Sequence, residues 1–175
     1  MTAPGNLPWG PAATDLVAAP VAEALANPPR ADVLTAPIDP ELADTAAFCE
    51  HYGIELADSA NCVVIAGRRE GQTRYAACLV LATTRADVNG VVRRRLDVRK
   101  ASFAPMDEAV ALTGMEYGGI TPIGLPADWP VLIDRAVLDR SMVVIGSGLR
   151  RSKIALPPKA LVELPGAEVI DGLAR

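Results

Sequence analysis

The positions in this sequence best suited to chemistry are glycines rather than acids, bases or nucleophiles. The strongest local signal is Thr113-Gly114-Met115-Glu116-Tyr117-Gly118-Gly119-Ile120-Thr121-Pro122-Ile123-Gly124. Adjacent glycines let backbone N–H groups come close to a ligand, and Pro122 limits the freedom of the loop presenting them. Such a loop can receive a carbonyl oxygen with no side-chain chemistry; the alternative is a merely convoluted connection. A second glycine pair, Gly146-Ser147-Gly148, follows a β-branched run. Its continuation Leu149-Arg150-Arg151-Ser152-Lys153 reads as a hairpin returning to strand, not as the helix start that would hold a pyrophosphate. A plain tight turn is the competing reading there.

Metal and nucleophile chemistry find little support. Cys49 and His51 are two apart on a predicted helix and so point in different directions, Cys62 and Cys78 fall in predicted strands, and no pair has Cys-x-x-Cys spacing. One ordinary helix histidine and three reduced core thiols is the simpler account. A triad would need everything to converge on His51, and there is no Gly-x-Ser-x-Gly elbow. No metal and no cofactor is expected.

The elements that must position the glycine loops can be read from pattern. Residues 1–13, rich in Pro, Gly and Ala, are expected to be a flexible lead-in, and 14–175 a single domain. Leu16, Val17, Val21 and Leu25 suit a short helix that Pro20 bends or starts. Ile38-Asp39-Pro40-Glu41-Leu42 reads as an N-cap followed by proline at the first helical position, and Gly53 as a C-cap, predicting a helix over 40–52. Runs 62–66 and 75–82 predict a hairpin closed by 67–74, with both strands covered on both faces. A helix over 87–96, a strand over 98–103, a helix over 105–112, strands over 131–134, 142–145 and 153–156, and a closing helix over 157–164 follow. Strands and helices do not repeat as βαβ units, so the expected fold class is α+β: a mixed, barrel-like β-sheet flanked by helices.

Composition narrows the partners. The 175 residues are half apolar but only 4% aromatic, so Val, Ile, Leu and Ala must build one compact core. Seventeen basic against 21 acidic residues give a net charge of −4, which argues against gripping duplex DNA by bulk charge. Local basic clusters remain at Arg68-Arg69 with Arg74, at Arg93-Arg94-Arg95 with Arg99 and Lys100, and at Arg150-Arg151 with Lys153. Neither a signal peptide nor a membrane span fits residues 16–26, and the cytoplasm is the natural location.

The ordered series Thr113-Gly, Gly118-Gly-Ile-Thr-Pro-Ile-Gly124, Val131-Leu-Ile-Asp134, Val144-Ile-Gly-Ser-Gly148 and Ile154-Ala-Leu-Pro with Leu161 resembles the YbaK/prolyl-tRNA-synthetase-associated editing domain, from about Pro40 to Asp171. The resemblance implies a mixed barrel-like fold with flanking helices, no metal, and hydrolysis of an amino acid wrongly esterified to tRNA. It places the aminoacyl moiety against Gly118, Gly119, Pro122 and Gly124, with Gly146, Ser147 and Gly148 as the facing wall. Water then attacks the ester with help from backbone donors and the terminal ribose. Asp134 orients pocket groups or caps a strand end. Physically, one methylene changes apolar binding by only ~1–3 kcal/mol, so synthetases for small amino acids err and a second, hydrolytic pocket is useful.

One position departs from the family pattern: Asn61 stands where a lysine of a Lys-Thr-Leu-like motif usually opens the first core strand. Three outcomes stay open. Asn61 works with backbone donors, a nearby base such as Arg74 or Lys153 substitutes, or the domain binds an aminoacyl end, a tRNA end or a partner protein without turnover. A hydrolase acting on another small ester is a further alternative. The expected partner is the acceptor end of aminoacyl-tRNA, and a homodimer is left open. The central geometric expectation is that Gly119 and Gly148 border a shared hollow with their amide hydrogens converging on one acyl oxygen.

Overall fold

A computed structural model describes residues 2–175; Met1, the first residue of the expected lead-in, lies outside them. Along the described chain run β1 Gly10–Pro11, α1 Ala19–Ala26, β2 Leu34–Pro37, α2 Thr45–Tyr52, β3 Ala60–Arg69, β4 Gln72–Leu81, α3 Arg93–Leu96, β5 Ala101–Phe103, α4 Met106–Thr113, β6 Val131–Asp134, α5 Arg135–Leu138, β7 Val143–Gly146, β8 Ser152–Leu156, α6 Lys159–Val162 and β9 Ala167–Ile170. The strands form a four-stranded antiparallel sheet, β1-β2-β8-β7, and a five-stranded mixed sheet, β5-β3-β4-β6-β9. The mixed α+β class expected from sequence is what the chain adopts. The strands divide between two sheets, and neither closes on itself.

The inner faces of the two sheets share the largest apolar cluster. Leu79, Val131, Ile133, Val143, Ile145, Ile154 and Leu156 meet there, with α1 contributing Val21 and α6 Leu161. Alternate residues of β4 point the other way, so Cys78 and Val80 pack with Ile65, Leu96 and Leu132 on the outer face of the mixed sheet. That explains why β4 shows no hydrophobic alternation: both of its faces are covered. The outer face of the antiparallel sheet packs Val144 and Ala155 against Phe48 and Cys49 of α2.

Local departures from the expected elements have identifiable causes. The hairpin loop is two residues, Glu70-Gly71, rather than 67–74. Both residues have positive φ, 51° and 79°, as the right-handed twist of paired strands demands of a two-residue turn. The helix expected over 40–52 is a 3-10 turn, Pro40–Leu42, followed by α2. Asp39 caps the turn by accepting from the Glu41 N–H, but the chain turns extended at Asp44 before α2 begins. Over 87–96, Asp87 accepts from Gly90 and Val91 N–H groups and opens a π-turn, which tightens into α only at α3. In the stretch read as a lead-in, Gly10 and Pro11 pair with Thr35 and Leu34.

Glu70 is one of two non-glycine residues with positive φ among the described residues, a conformation asparagine tolerates better. Glu70→Asn is therefore expected to stabilise the protein by roughly 0.5 kcal/mol, and the measure is a thermal midpoint raised by about 1–2 °C.

Candidate functional site

The two glycine-bearing segments meet in direct backbone contact. Gly148 N–H donates to the Gly119 carbonyl at 2.7 Å, and Gly119 N–H donates to the Glu116 carbonyl at 3.0 Å. A Cβ at Gly119 would lie 2.8 Å from the Leu149 carbonyl, and one at Gly146 would lie 2.6 Å from the Gly119 carbonyl oxygen. Neither position has room for a side chain, so these glycines serve loop-to-loop packing. The expectation that the Gly119 and Gly148 amides converge on a ligand is thereby corrected: both amides are spent inside the protein, because the reversals touch instead of facing each other across a gap.

The hollow lies beside that contact. Ser59, the residue before β3, makes a parallel bridge to Val144 of β7, and residues beyond it on both strands line a cavity of about 310 Å³. Its wall carries Asn61 from β3, Lys153 from β8, Gly118 from the loop and Gly146 from β7, with Val64, Ala109 and Ile120 among its apolar members. Of the residues expected at a site, Asn61, Gly118 and Gly146 border this space, and Gly119 and Gly148 form the contact behind it. Pro122 is buried away from the wall. Gly124 instead receives α1, since a Cβ there would lie 2.5 Å from the Pro20 carbonyl oxygen. Ser147 is a buried brace: its hydroxyl meets Ser152 Oγ at 2.7 Å, which donates to the Leu16 carbonyl at 2.6 Å. Asp134 is buried at the end of β6, where Oδ1 accepts from Ala174 N–H at 3.3 Å, the strand-end capping role.

Lys153, one of the two bases named as substitutes for the missing lysine, is the one the structure brings to the cavity. It sits opposite Gly146 in the β7–β8 register and is only 8% exposed. Its Nζ stands 4.8 Å from the centre of the Phe48 ring and donates to the Ala43 carbonyl at 3.4 Å. That carbonyl lies at the interruption before α2, so the break in the expected helix helps seat the lysine. Burial pushes the ammonium below the ordinary lysine value of 10.5; Arg150 adds to the lowering, while Cys49 and Asp44 oppose it. Arg74, the other candidate substitute, lies elsewhere, bonding the Leu96 carbonyl at 2.9 Å. Asn61 Oδ1 accepts from Thr45 Oγ1 at 2.8 Å, which leaves its amide N–H groups as donors. Cys62 also lines the cavity, but burial, and secondarily Cys78, hold its thiol protonated well above neutral pH, so it is no thiolate nucleophile. No cluster of three His, Cys, Asp or Glu side chains suited to a metal occurs among the described residues.

Residues 39–164 match the sequence model of the aminoacyl-tRNA editing domain. The uncharacterised protein YwhH of Bacillus subtilis (strain 168) is similar, 32% identical over 91 residues. The alignment covers 52% of this chain and 58% of that protein, so the chain matches little more than half its relative's length. Among solved structures, a candidate trans-editing enzyme for prolyl tRNA synthetase superposes with a TM-score of 0.74 at 24% identity, over 87% of this chain and 93% of the other. A scaffold used for computational epitope grafting superposes with a TM-score of 0.75 at 25% identity, over 88% and 95%. These likenesses speak to the fold.

Two outcomes follow from the geometry. Gly146→Ala forces a methyl against two backbone carbonyls, Gly119 and Ile120, and should cost roughly 2–3 kcal/mol in chemical unfolding. Lys153→Met should gain about 1 kcal/mol at neutral pH by removing a poorly partnered buried cation. Because the folded-state pKa is depressed, the unfavourable contribution is complete below it and vanishes as pH rises to 10.5. Melting curves should thus show the variant's advantage shrinking across that alkaline window; an advantage constant with pH would show that burial does not disfavour the charge.

Proposed function

Because this chain belongs to the aminoacyl-tRNA editing domain family, we propose that it is a deacylase that hydrolyses the ester joining a small amino acid to tRNA. The observation that carries this reading is a buried lysine, a carboxamide and glycine backbone on the wall of one cavity of about 310 Å³. That volume is at the small end for ligand pockets and suits one small side chain with its carbonyl.

In this reading the Lys153 ammonium replaces the charge that Asn61 lacks. Lys153 and the Asn61 amide polarise the ester carbonyl, and water adds to the carbonyl carbon. The oxyanion of the tetrahedral intermediate is held by these donors, where one positioned donor contributes ~2.7–4 kcal/mol. Collapse breaks the bond to the ribose oxygen, which takes up the proton lost by the water. Free amino acid and a tRNA with restored terminal hydroxyl leave. Neither a thiolate nor a metal enters the scheme.

The remaining basic residues supply contacts to phosphate. Arg68, Arg69, Arg93 and Arg99 border a second hollow of about 500 Å³, although Arg69 is partly occupied by Asp97 at 2.6 Å. That surface suits the acceptor-stem backbone. No helix among the described residues is long and apolar enough to cross a membrane, and a cytoplasmic site of action fits a substrate met there.

Asn61 in place of the usual lysine favours a second reading, a module that binds the aminoacyl end without hydrolysis. A panel of mischarged tRNAs separates the two. Deacylation above the buffer rate is expected for at least one small amino acid, with Lys153→Met lowering kcat/KM about 100-fold or more and Asn61→Ala about 10-fold. Tight binding of mischarged tRNA with no release of amino acid would select the binding module. Wild-type turnover retained in Lys153→Met would remove the lysine from the mechanism.

A further inference from the structure

We infer that Phe103 and Tyr117 form a stacking surface for the unpaired terminal bases of the nucleic acid whose ester enters the cavity, an assignment that rests on the deacylase reading above. Aromatic residues make up only 4% of this chain. Most are engaged inside: Tyr75 and Trp129 stack at 5.1 Å, Phe48 lies beneath Lys153 and 5.3 Å from Tyr52, and Trp9 Nε1 donates to the Pro4 carbonyl. Phe103 and Tyr117 differ. They are 63% and 53% exposed, and among the described residues neither ring pairs with another aromatic. Leaving two large rings in water forfeits the burial that aromatic side chains usually supply.

Both residues border the same cavity from different elements, Phe103 at the end of β5 and Tyr117 in the glycine-rich loop. Their backbones are fixed. Phe103 is paired with Ile65, and the Tyr117 carbonyl accepts from Arg150 Nη1 at 3.5 Å. Arg150 Nη2 also donates to the Pro40 carbonyl at 3.2 Å, so a guanidinium stands at the loop carrying the second ring. Two carboxylates stand near this cation: Glu116 Oε1 accepts from the Arg150 backbone N–H at 2.8 Å, and Asp44 lies 4.0 Å from the guanidinium. Exposed flat rings beside a cation are the equipment for single-stranded nucleic acid, because every base offers a π-face and the backbone offers charge. Stacking tolerates any sequence, which suits an end shared by all tRNAs.

The test titrates an uncharged cytidine-cytidine-adenosine trinucleotide against wild type, Phe103→Ala, Tyr117→Ala and Tyr117→Phe. Each alanine variant should bind about tenfold more weakly, and Tyr117→Phe should bind like wild type. Melting temperatures should not move, since both rings are exposed. A wild type that fails to bind the trinucleotide, or alanine variants that bind it as well as wild type, would overturn the assignment. Deacylation of mischarged tRNA by the same proteins separates the two claims. Ring-dependent binding without any hydrolysis leaves the stacking surface standing and removes the deacylase. Hydrolysis with an unchanged KM in both alanine variants keeps the deacylase and removes the stacking surface.

Discussion

The structure around the cavity depends on two chain segments approaching more closely than side chains permit. The Gly119 carbonyl accepts from Gly148 N–H at 2.7 Å while the Cα of Gly146 faces the same carbonyl. Close packing of backbone on backbone satisfies polar groups that would otherwise be buried unpaired. It also sets where the loop carrying Gly118 and Tyr117 stands relative to β7, and hence where the wall of the hollow lies. Further out, Gly124 and Gly148 admit the start of α1: the Pro20 carbonyl and the methyl of Ala18, just before the helix, occupy the space their side chains would need. The glycines thus act as spacers between layers.

Burying Lys153 is the second constraint, and it works against stability. A cation with one long hydrogen bond and an aromatic face is poorly compensated for the water it has lost. The fold accommodates it by interrupting the chain before α2, where the Ala43 carbonyl is left to accept. Such local costs recur where a group is held ready for a ligand, because a charge already stripped of water interacts more strongly with a developing negative charge. Asn61, tied to Thr45, lies on the same wall, so a strand of each sheet contributes a polar side chain to it.

The cavity itself arises from divergence between sheets. Ser59, just before β3, bridges to Val144 of β7, and beyond the bridge β3 continues with β4 and β5 while β7 stays with β8. A gap opening between two sheets is bordered by residues from both, and polar and apolar groups share its wall. The exposed rings of Phe103 and Tyr117 stand at this gap, and its apolar wall residues Val64 and Ala109 pack with the buried Trp129.

Much of this was legible in the order of residues. The capping signals at Asp39, Gly53 and Gly114, the apolar runs of β3, β4 and β6 to β8, the mixed α+β class and the editing-domain pattern depend on local propensity and on spacing along the chain, so they can be read without coordinates. Short elements such as β2 and β9 escaped, because Thr35 and Pro37 in one and Glu168 in the other interrupt the apolar run that marks the equally short β6 and β7, and the helix over 40–52 is interrupted at Asp44, where the backbone is extended. Gly118, Gly119, Gly146 and Gly148 were recognisable as special, yet whether their missing side chains made room for a ligand or for another strand of backbone was a matter of what lay opposite. Local pattern sufficed for most of the helices and core strands and for the family. That Lys153, one of 17 basic residues in the chain, is the one buried on the wall it shares with Asn61 came from the folded arrangement alone. Burial depends on contacts between residues far apart in sequence, and no local pattern encodes them.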